Sequence, residues 1–201
     1  MTLTVPNIVT LFRIGLVPVL VVLLLFTGPT AAWMAAGAFL VATLSDYVDG
    51  YIARNYGSGS VLGTFLDPLA DKLLVSAALI MLAGMARTPR VPAWIVAVIV
   101  GREIMVTALR AVAASEGLVV GAEELGKYKM TLQAIALEPL LVHYTHWHID
   151  FFGAGMFLLW ISMALSLWSG AEYYLKLMWV LREDAHTQAP GGQANRSAHR
   201  R

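Results

Sequence analysis

The chain has no cysteine, which excludes both a disulfide framework and a thiolate metal site. Charged residues are also scarce: they make up 13% of the 201 residues, whereas soluble domains contain about 25%. The 14 basic and 13 acidic residues nearly cancel, and a net charge of +1 argues against a nucleic-acid partner. Apolar residues dominate instead, at 58% of the chain, with a mean hydropathy of +0.68. This balance is typical of a protein that crosses a membrane several times.

Six apolar segments are long enough, or nearly so, to cross about 30 Å of hydrocarbon. We expect an all-α integral membrane protein, with a bundle of six transmembrane helices forming one domain over 1–182. The first segment has no basic stretch before it and no small-residue cleavage site after it, so we expect a retained helix, not a signal peptide. The tail, 183–201, has no apolar periodicity and is expected to be disordered. The six segments lie at about 7–27, 31–53, 67–86, 92–114, 127–145 and 151–181.

Basic residues are concentrated at one end of the expected bundle. That end carries the N-terminus, the connections 54–66 and 115–126 and the tail, and most of the lysines and arginines lie there. The opposite end has Arg87 and Arg90. Because cytoplasmic connections of membrane proteins are rich in lysine and arginine, we expect both termini to lie in the cytoplasm. The protein is then integral to the inner, cytoplasmic membrane.

Four aspartates lie where one apolar segment ends and the next begins. A carboxylate at a bilayer centre costs about 2.5–3.5 kcal/mol, so such residues call for a function. Asp46 and Asp49 share a helix face at i, i+3, and Asp67 and Asp71 share one at i, i+4. Four converging carboxylates repel unless cations neutralise them, and their oxygens favour Mg²⁺, Mn²⁺ or Ca²⁺. We expect a two-metal cluster; solvated interfacial acids are the alternative, which suits one aspartate better than four.

Small residues surround these acids. Gly57 and Gly63 lie in the connection between the two acidic pairs and allow a ligand to approach the backbone closely. Gly50 and Ala53 leave space beside the acids for a flat or phosphorylated group. Arg54 can bind a phosphate through two parallel hydrogen bonds.

Eight residues of this stretch match a known pattern at every fixed position and resemble the signature of the CDP-alcohol phosphotransferases: Asp46, Asp49, Gly50, Ala53, Arg54, Gly63, Asp67 and Asp71. The resemblance implies six transmembrane helices, a homodimer and a cytoplasm-facing site with two divalent cations, Mg²⁺ or Mn²⁺. It also implies that a phosphatidyl or similar group moves from a CDP-linked donor to an alcohol, with release of CMP.

The same resemblance assigns roles to individual residues. Asp46, Asp49 and Asp67 are implied as metal ligands. Asp71 is implied as a metal neighbour that also serves as the general base. The residues expected at the CDP donor are Gly50, Ala53, Arg54, Ser60, Gly63, Asn7 and Thr10, although helix capping is an alternative for Asn7.

A second group of charges is cationic. Arg102 and Arg110 lie on one stripe of the fourth segment, and Lys127 and Lys129 open the fifth. An arginine within a membrane usually faces a polar cavity, and a basic pocket beside an acidic cluster indicates an acceptor alcohol that carries a phosphate. Glu103, next to Arg102 in the chain, offsets part of the cost of its charge. The alternatives are a structural ion pair between Arg102 and an acid on a neighbouring helix, and membrane anchoring for the lysines.

The segments around these cations, with the opening "PNIVTLFR", resemble bacterial phosphatidylglycerophosphate synthases, the branch of the family whose acceptor is sn-glycerol 3-phosphate. This resemblance implies CDP-diacylglycerol as the donor. Inositol phosphate, serine and phosphatidylglycerol remain alternative acceptors. A divalent-cation transporter is a more distant alternative, and it should place polar groups along a path that reaches both faces.

Three histidines, His143, His146 and His148, cluster near the end of the fifth segment. Their spacing is compatible with a metal site. They fall at the end away from the aspartates, and we interpret them as solvated residues of the membrane interface.

Overall fold

A computed structural model of the chain describes residues 5–56, 61–115, 124–146 and 148–188. Within the helices, the side chains of 5–7, 46–56, 61–65, 67–68, 124–127 and 183–188 lie outside the described set. The described residues form six α-helices and no strand: α1 (Val5–Leu25), α2 (Pro29–Tyr56), α3 (Val61–Gly84), α4 (Ala93–Ser115), α5 (Glu124–Val142) and α6 (Phe151–Gln188). The all-α prediction is confirmed.

The helix boundaries differ most from the prediction in two places, the connection between α2 and α3 and the end of α6. The glycine-rich connection expected over 54–66 is shorter, because α2 continues to Tyr56 and α3 already begins at Val61. The apolar residues after Ser60 continue the pattern of α3, and this outweighs the glycine signal. At the other end of the chain, α6 continues past 182 to Gln188. The disorder of the remaining tail stays a prediction, since 189–201 lie outside the described residues.

Consecutive helices run in opposite directions. Arg13 Nε of α1 donates to the Ala42 carbonyl oxygen of α2 at 3.3 Å, and Lys72 Nζ of α3 donates to Thr107 Oγ1 of α4 at 2.5 Å. In both pairs the residues lie at similar distances from the connection that joins the two helices, as antiparallel packing requires. The ends that hold 46–56 and 61–72 therefore lie together, and we call this side of the bundle the acid end.

The fifth and sixth helices also run in opposite directions. A Cβ added to Gly155 of α6 would lie 2.6 Å from Leu140 Cγ of α5, so the glycine lets these antiparallel helices approach closely. Helices α4 and α6 run parallel, because their contacts advance together: the rings of Trp94 and Trp160 lie 5.3 Å apart, and Arg102 bonds α6 further along. The start of α5 and the ends of α4 and α6 are therefore at the acid end.

The opposite side, the connection end, gathers residues 26–28 and 85–92 and the described residues of a third connection, 143–146 and 148–150. The buried Arg87 donates from Nη2 to the Phe26 carbonyl oxygen at 2.8 Å. His143 Nε2 lies 3.4 Å from the Thr88 carbonyl oxygen. These contacts tie the three short connections to one another.

Apolar side chains fill the bundle and also cover its outside. One cluster of buried apolar residues contains side chains from all six helices, and Leu20, Phe39, Leu79 and Leu137 are fully enclosed in it. Many large apolar residues nevertheless face outward, such as Trp168, which is 70% exposed. An outward apolar surface of this kind suits contact with lipid better than contact with water.

Two described helices are long and apolar enough to cross a membrane. They are Ile8–Leu25, with a mean hydropathy of 2.7, and Phe151–Arg182, with 1.7. Only 22% and 28% of these windows are buried in the bundle. A shorter apolar stretch covers Pro29–Ser45. Six membrane crossings and the orientation of the termini stay predictions.

Candidate active site

The two aspartate pairs lie on consecutive helices that meet at the acid end. Asp46 and Asp49 belong to the last turns of α2, and Asp67 and Asp71 to the first turns of α3. This placement agrees with the spacing argument. The side chains of Asp46, Asp49 and Asp67 lie outside the described residues, whereas that of Asp71 is half-buried.

A cavity of about 300 Å³ opens beside Asp71. Residues of α2, α3, α4 and α5 line it, and its charged wall is formed by Asp71, Lys72 and Glu103. Thr131 and Gln133 of α5 add uncharged polar groups. The cavity therefore brings the expected general base to the same space as a cation and a second carboxylate.

Lys72 also lines this cavity, and its context in the sequence does not predict a place in the site. It bonds Thr107 Oγ1, and that hydroxyl donates in turn to the Glu103 carbonyl oxygen at 2.6 Å. The signal in the sequence was its position next to Asp71. A lysine near a cytoplasmic helix end also serves as a membrane anchor, and this second role concealed the first.

Glu103 pairs with two of the four expected acceptor cations. Its Oε1 accepts from Arg102 Nη1 at 3.0 Å and also from Lys129 Nζ. Arg102 donates from Nη2 to Ser169 Oγ at 3.0 Å. A Cβ on Gly170 would lie 2.9 Å from Arg102 Nε, so the glycine makes room for the guanidinium group. Among the described residues Arg102 therefore pairs with Glu103 of its own helix and not with an acid on a neighbouring helix, whereas the pairing of Glu103 with Lys129 joins α4 to α5.

The remaining two cations differ in position. Arg110 lies two turns beyond Arg102 on α4, with its guanidinium carbon 5.3 Å from the centre of the Tyr173 ring. Lys127 is in the first turn of α5, and its side chain lies outside the described residues. The structure thus brings Arg102 and Lys129 together and places Arg110 nearer the acid end.

One expected donor-binding residue has a described side chain. Thr10 is fully buried in α1, one turn before the buried Arg13. The side chains of Asn7, Gly50, Ala53, Arg54 and Gly63 lie outside the described set, and so does Ser60 as a whole. Their expected contacts with the CDP group stay predictions.

The chemistry of the donor groups fits a hard divalent cation. The sequence offers four carboxylates at the acid end and no thiolate. Among the side chains that are described, no three histidine, aspartate or glutamate residues form a metal-binding group. This finding does not test the expected metal cluster, because the side chains of three of its four aspartates lie outside the described residues.

The histidines at the connection end take part in local packing. His143 is 5% exposed, and burial lowers the pKa of its imidazole. Trp33 Nε1 donates to His146 Nε2 at 3.1 Å. His148 is exposed. The exposure of His148 agrees with the interpretation as a solvated residue, whereas that interpretation is wrong for His143, whose ring packs against Phe152.

Comparison with known proteins identifies the family. The family model described as CDP-alcohol phosphatidyltransferase matches residues 3–168, and the chain therefore belongs to the CDP-alcohol phosphatidyltransferase family. Members of this family are membrane enzymes and generally use divalent metal ions. The resemblance seen in the aspartate signature is confirmed.

Individual relatives cover most of the chain. A Bacillus subtilis protein named CDP-diacylglycerol–glycerol-3-phosphate 3-phosphatidyltransferase is 41% identical over 183 residues, which are 85% of this chain and 93% of that protein. An Arabidopsis thaliana protein of the same name, number 2, is 37% identical over 190 residues, 89% of this chain and 82% of the relative. A rice protein named cardiolipin synthase (CMP-forming) is 36% identical over 193 residues, 89% of this chain and 59% of that protein.

Proposed function

We propose that this enzyme transfers the phosphatidyl group of CDP-diacylglycerol to sn-glycerol 3-phosphate, giving phosphatidylglycerol phosphate and CMP. The observation that carries the proposal is the aspartate signature ending at Asp71, which lines the cavity at the acid end. The names of the Bacillus and Arabidopsis relatives support the same donor and acceptor.

Asp71 serves as the general base in this proposal. It takes the proton from the terminal hydroxyl of the acceptor, and the resulting alkoxide attacks the phosphorus atom bonded to the lipid. The bond between that phosphorus and the CMP oxygen breaks, and CMP leaves. A positioned base of this kind contributes about 10²–10⁴-fold to the rate.

Asp46, Asp49, Asp67 and Asp71 would together hold two divalent cations, Mg²⁺ or Mn²⁺. Such ions supply positive charge that neutralises the pyrophosphate of the donor and the departing CMP. Residues Gly50, Ala53, Arg54, Ser60 and Gly63, with Asn7 and Thr10, would bind the CDP group.

Arg102 and Lys129, with Arg110 and Lys127, would hold the phosphate of the acceptor. Glu103 already compensates part of this charge. A phosphate dianion is therefore a better ligand for these four cations than an uncharged alcohol. The cations carry more positive charge than the single carboxylate of Glu103 neutralises, and the excess can bind the phosphate.

In the membrane, the proposal has six crossings, both termini in the cytoplasm and the acid end facing the cytoplasmic side of the inner membrane. The outward apolar surface of the bundle supports this arrangement. The homodimer implied by the family resemblance is part of the same proposal.

A second candidate uses the same chemistry with phosphatidylglycerol as the acceptor. The rice relative named cardiolipin synthase favours it. Against it stands the cationic pair of Arg102 and Lys129, since the phosphate of glycerol 3-phosphate is a dianion and that of phosphatidylglycerol a monoanion.

An acceptor panel separates these candidates. Purified protein in detergent is given CDP-diacylglycerol, Mg²⁺ or Mn²⁺, and one of glycerol 3-phosphate, phosphatidylglycerol, inositol phosphate or serine, and CMP release is measured. We expect release with glycerol 3-phosphate and none after chelation of the cation. Release with another acceptor alone contradicts the proposal, and metal flux into proteoliposomes without CMP release would favour the transporter.

A further inference from the structure

Gln133 brings a buried amide without a bonding partner to the wall of the cavity. Its side chain is 3% exposed, and its Nε2 has no hydrogen-bond partner among the described residues. Of the described side chains that line the cavity, Gln133 is the one with such an atom. A buried donor left unsatisfied is costly, so the amide is expected to bond an acceptor from a molecule that enters the cavity.

The contacts between helices fix how far Gln133 lies from the acid end. Lys72 bonds Thr107, and Glu103, one turn deeper on α4, pairs with Lys129. Gln133 is a further turn deeper, because it follows Lys129 by four residues on α5. It therefore lies about two helical turns, or about 11 Å, farther from the acid end than Lys72.

The lining of the cavity changes from polar to apolar along the same direction. Asp71 and Lys72 line the part near the acid end. Val75 and Leu79 follow at successive turns of α3, and Ile99 lies opposite them on α4. Gln133 lies at about the depth of Leu79, so a molecule that fills this space needs a charged group near the acid end and, about two turns deeper, a hydrogen-bond acceptor next to hydrocarbon.

We infer that Gln133 donates a hydrogen bond to an acyl ester carbonyl of the lipid donor, and that the first methylene groups of that acyl chain occupy the apolar part of the cavity. The inference rests on the proposed function, which supplies the diacylglycerol donor. In a diacylglycerol each ester carbonyl adjoins the first methylene groups of its acyl chain and is separated from the phosphate by the glycerol, which matches an acceptor and hydrocarbon at the same depth of the cavity. Glycerol 3-phosphate is too short to contact both Asp71 and Gln133, and it has no hydrocarbon.

Two donors that differ only in the ester test this inference. One is CDP-diacylglycerol, and the other is the ether-linked CDP-dialkylglycerol of equal chain length, which has no carbonyl oxygen. The measurement is kcat/KM for CMP release that depends on glycerol 3-phosphate. We expect the wild-type enzyme to prefer the diester by about 5-fold to about 100-fold. In Gln133→Met, which keeps the length of the side chain, the preference should fall close to 1.

Ser162→Ala is the matched control. Ser162 is fully buried, and its Oγ also lacks a partner among the described residues, but it is not part of the cavity wall. The control should keep the wild-type preference for the diester. Gln133→Leu serves as a second variant if Gln133→Met does not elute as a single folded species.

The results separate the inference from the function on which it rests. A diester preference that is equal in the wild type and the Gln133 variants overturns the inference alone, and so does a wild-type enzyme without preference. A wild-type enzyme that releases no CMP with glycerol 3-phosphate overturns the proposed function instead.

Discussion

At the scale of single residues, Glu103 is the centre of the charge network beside the cavity. It compensates Arg102 on its own helix and Lys129 on α5, and both cations are almost fully buried. Buried cations without a counter-charge are strongly destabilising. Glu103 therefore has a structural role whether or not a phosphate is bound.

Glu103→Gln is expected to destabilise the protein by about 3–5 kcal/mol, because it leaves two buried cations without a carboxylate. Denaturant unfolding in detergent measures the change. Glu172→Gln is the matched control, since Glu172 pairs with Lys176 on the surface of α6 at 2.8 Å, and loss of such a pair costs about 0.5 kcal/mol or less. An equal loss of unfolding free energy in the two variants would show that the Glu103 network stabilises the protein no more than a surface ion pair does.

The residue scale is also where the sequence was least informative. Asp71 could be assigned from its spacing to Asp67 and from the family signature. The pairing of Glu103 with Lys129 could not, because it depends on the register between α4 and α5, which no pattern in the sequence specifies. Gln133 was hidden for the same reason: nothing in the sequence says which face of α5 meets the cavity.

At the scale of helices, the packing of α5 against α6 depends on a single missing side chain. A Cβ at Gly155 would lie 2.6 Å from Leu140 Cγ and 2.9 Å from the Leu140 backbone nitrogen. The side chain of Leu140 can move, but its backbone cannot move without shifting α5. The close approach of the two helices therefore requires glycine at this position.

Gly155→Ala is expected to cost about 1–3 kcal/mol through this overpacking. Gly101→Ala is the control, because a Cβ at Gly101 meets no atom within 4 Å. The control should be neutral or slightly stabilising, since alanine favours helix more than glycine does. Thermal unfolding in detergent compares them, and a Gly155→Ala variant as stable as Gly101→Ala refutes the packing account.

The connection end should respond to pH through His143. Burial lowers the pKa of this imidazole below its ordinary value of 6.5, although contact with Thr88 and the charge of Asp150 oppose the shift. The unfolded chain then binds a proton more readily than the folded one, so stability is complete above about pH 6.5 and falls as the pH drops below it. Arg87 adds to this effect by opposing a second positive charge.

Thermal unfolding at pH 7.5 and pH 5.5 tests this dependence. The wild type should lose more stability on acidification than His143→Gln, which cannot take up a proton. His148→Gln controls for histidine content, because His148 is exposed, and it should behave as the wild type does. An acid sensitivity that is the same in all three proteins would rule out His143 as its source.

The order and direction of the helices followed well from the sequence. The six apolar segments correspond to six described helices, and their alternating direction follows from assigning the connections 54–66 and 115–126 to the same end as the N-terminus. The start of α3 was placed too late because glycines in the connection concealed a pattern that begins at Val61. The length of α6 was underestimated since its last turns are polar.

At the scale of the whole molecule, the bundle has two unlike ends and an apolar surface between them. The acid end carries the cavity with Asp71, and the connection end holds buried groups such as Arg87 that tie three connections together. A membrane enzyme that joins a lipid donor to a water-soluble acceptor needs this asymmetry. The reactive groups must face water on one side, while the sides of the bundle contact hydrocarbon.

The most direct test follows a labelled acceptor into the lipid phase. Purified enzyme is incubated with CDP-diacylglycerol, a divalent cation and radiolabelled sn-glycerol 3-phosphate, and label in extracted lipid is compared with CMP released. The account predicts one labelled lipid, phosphatidylglycerol phosphate, formed in equal amount to CMP, and a rate lower by about 10²–10⁴-fold in Asp71→Asn. Label that stays in the aqueous phase while CMP is released would contradict it.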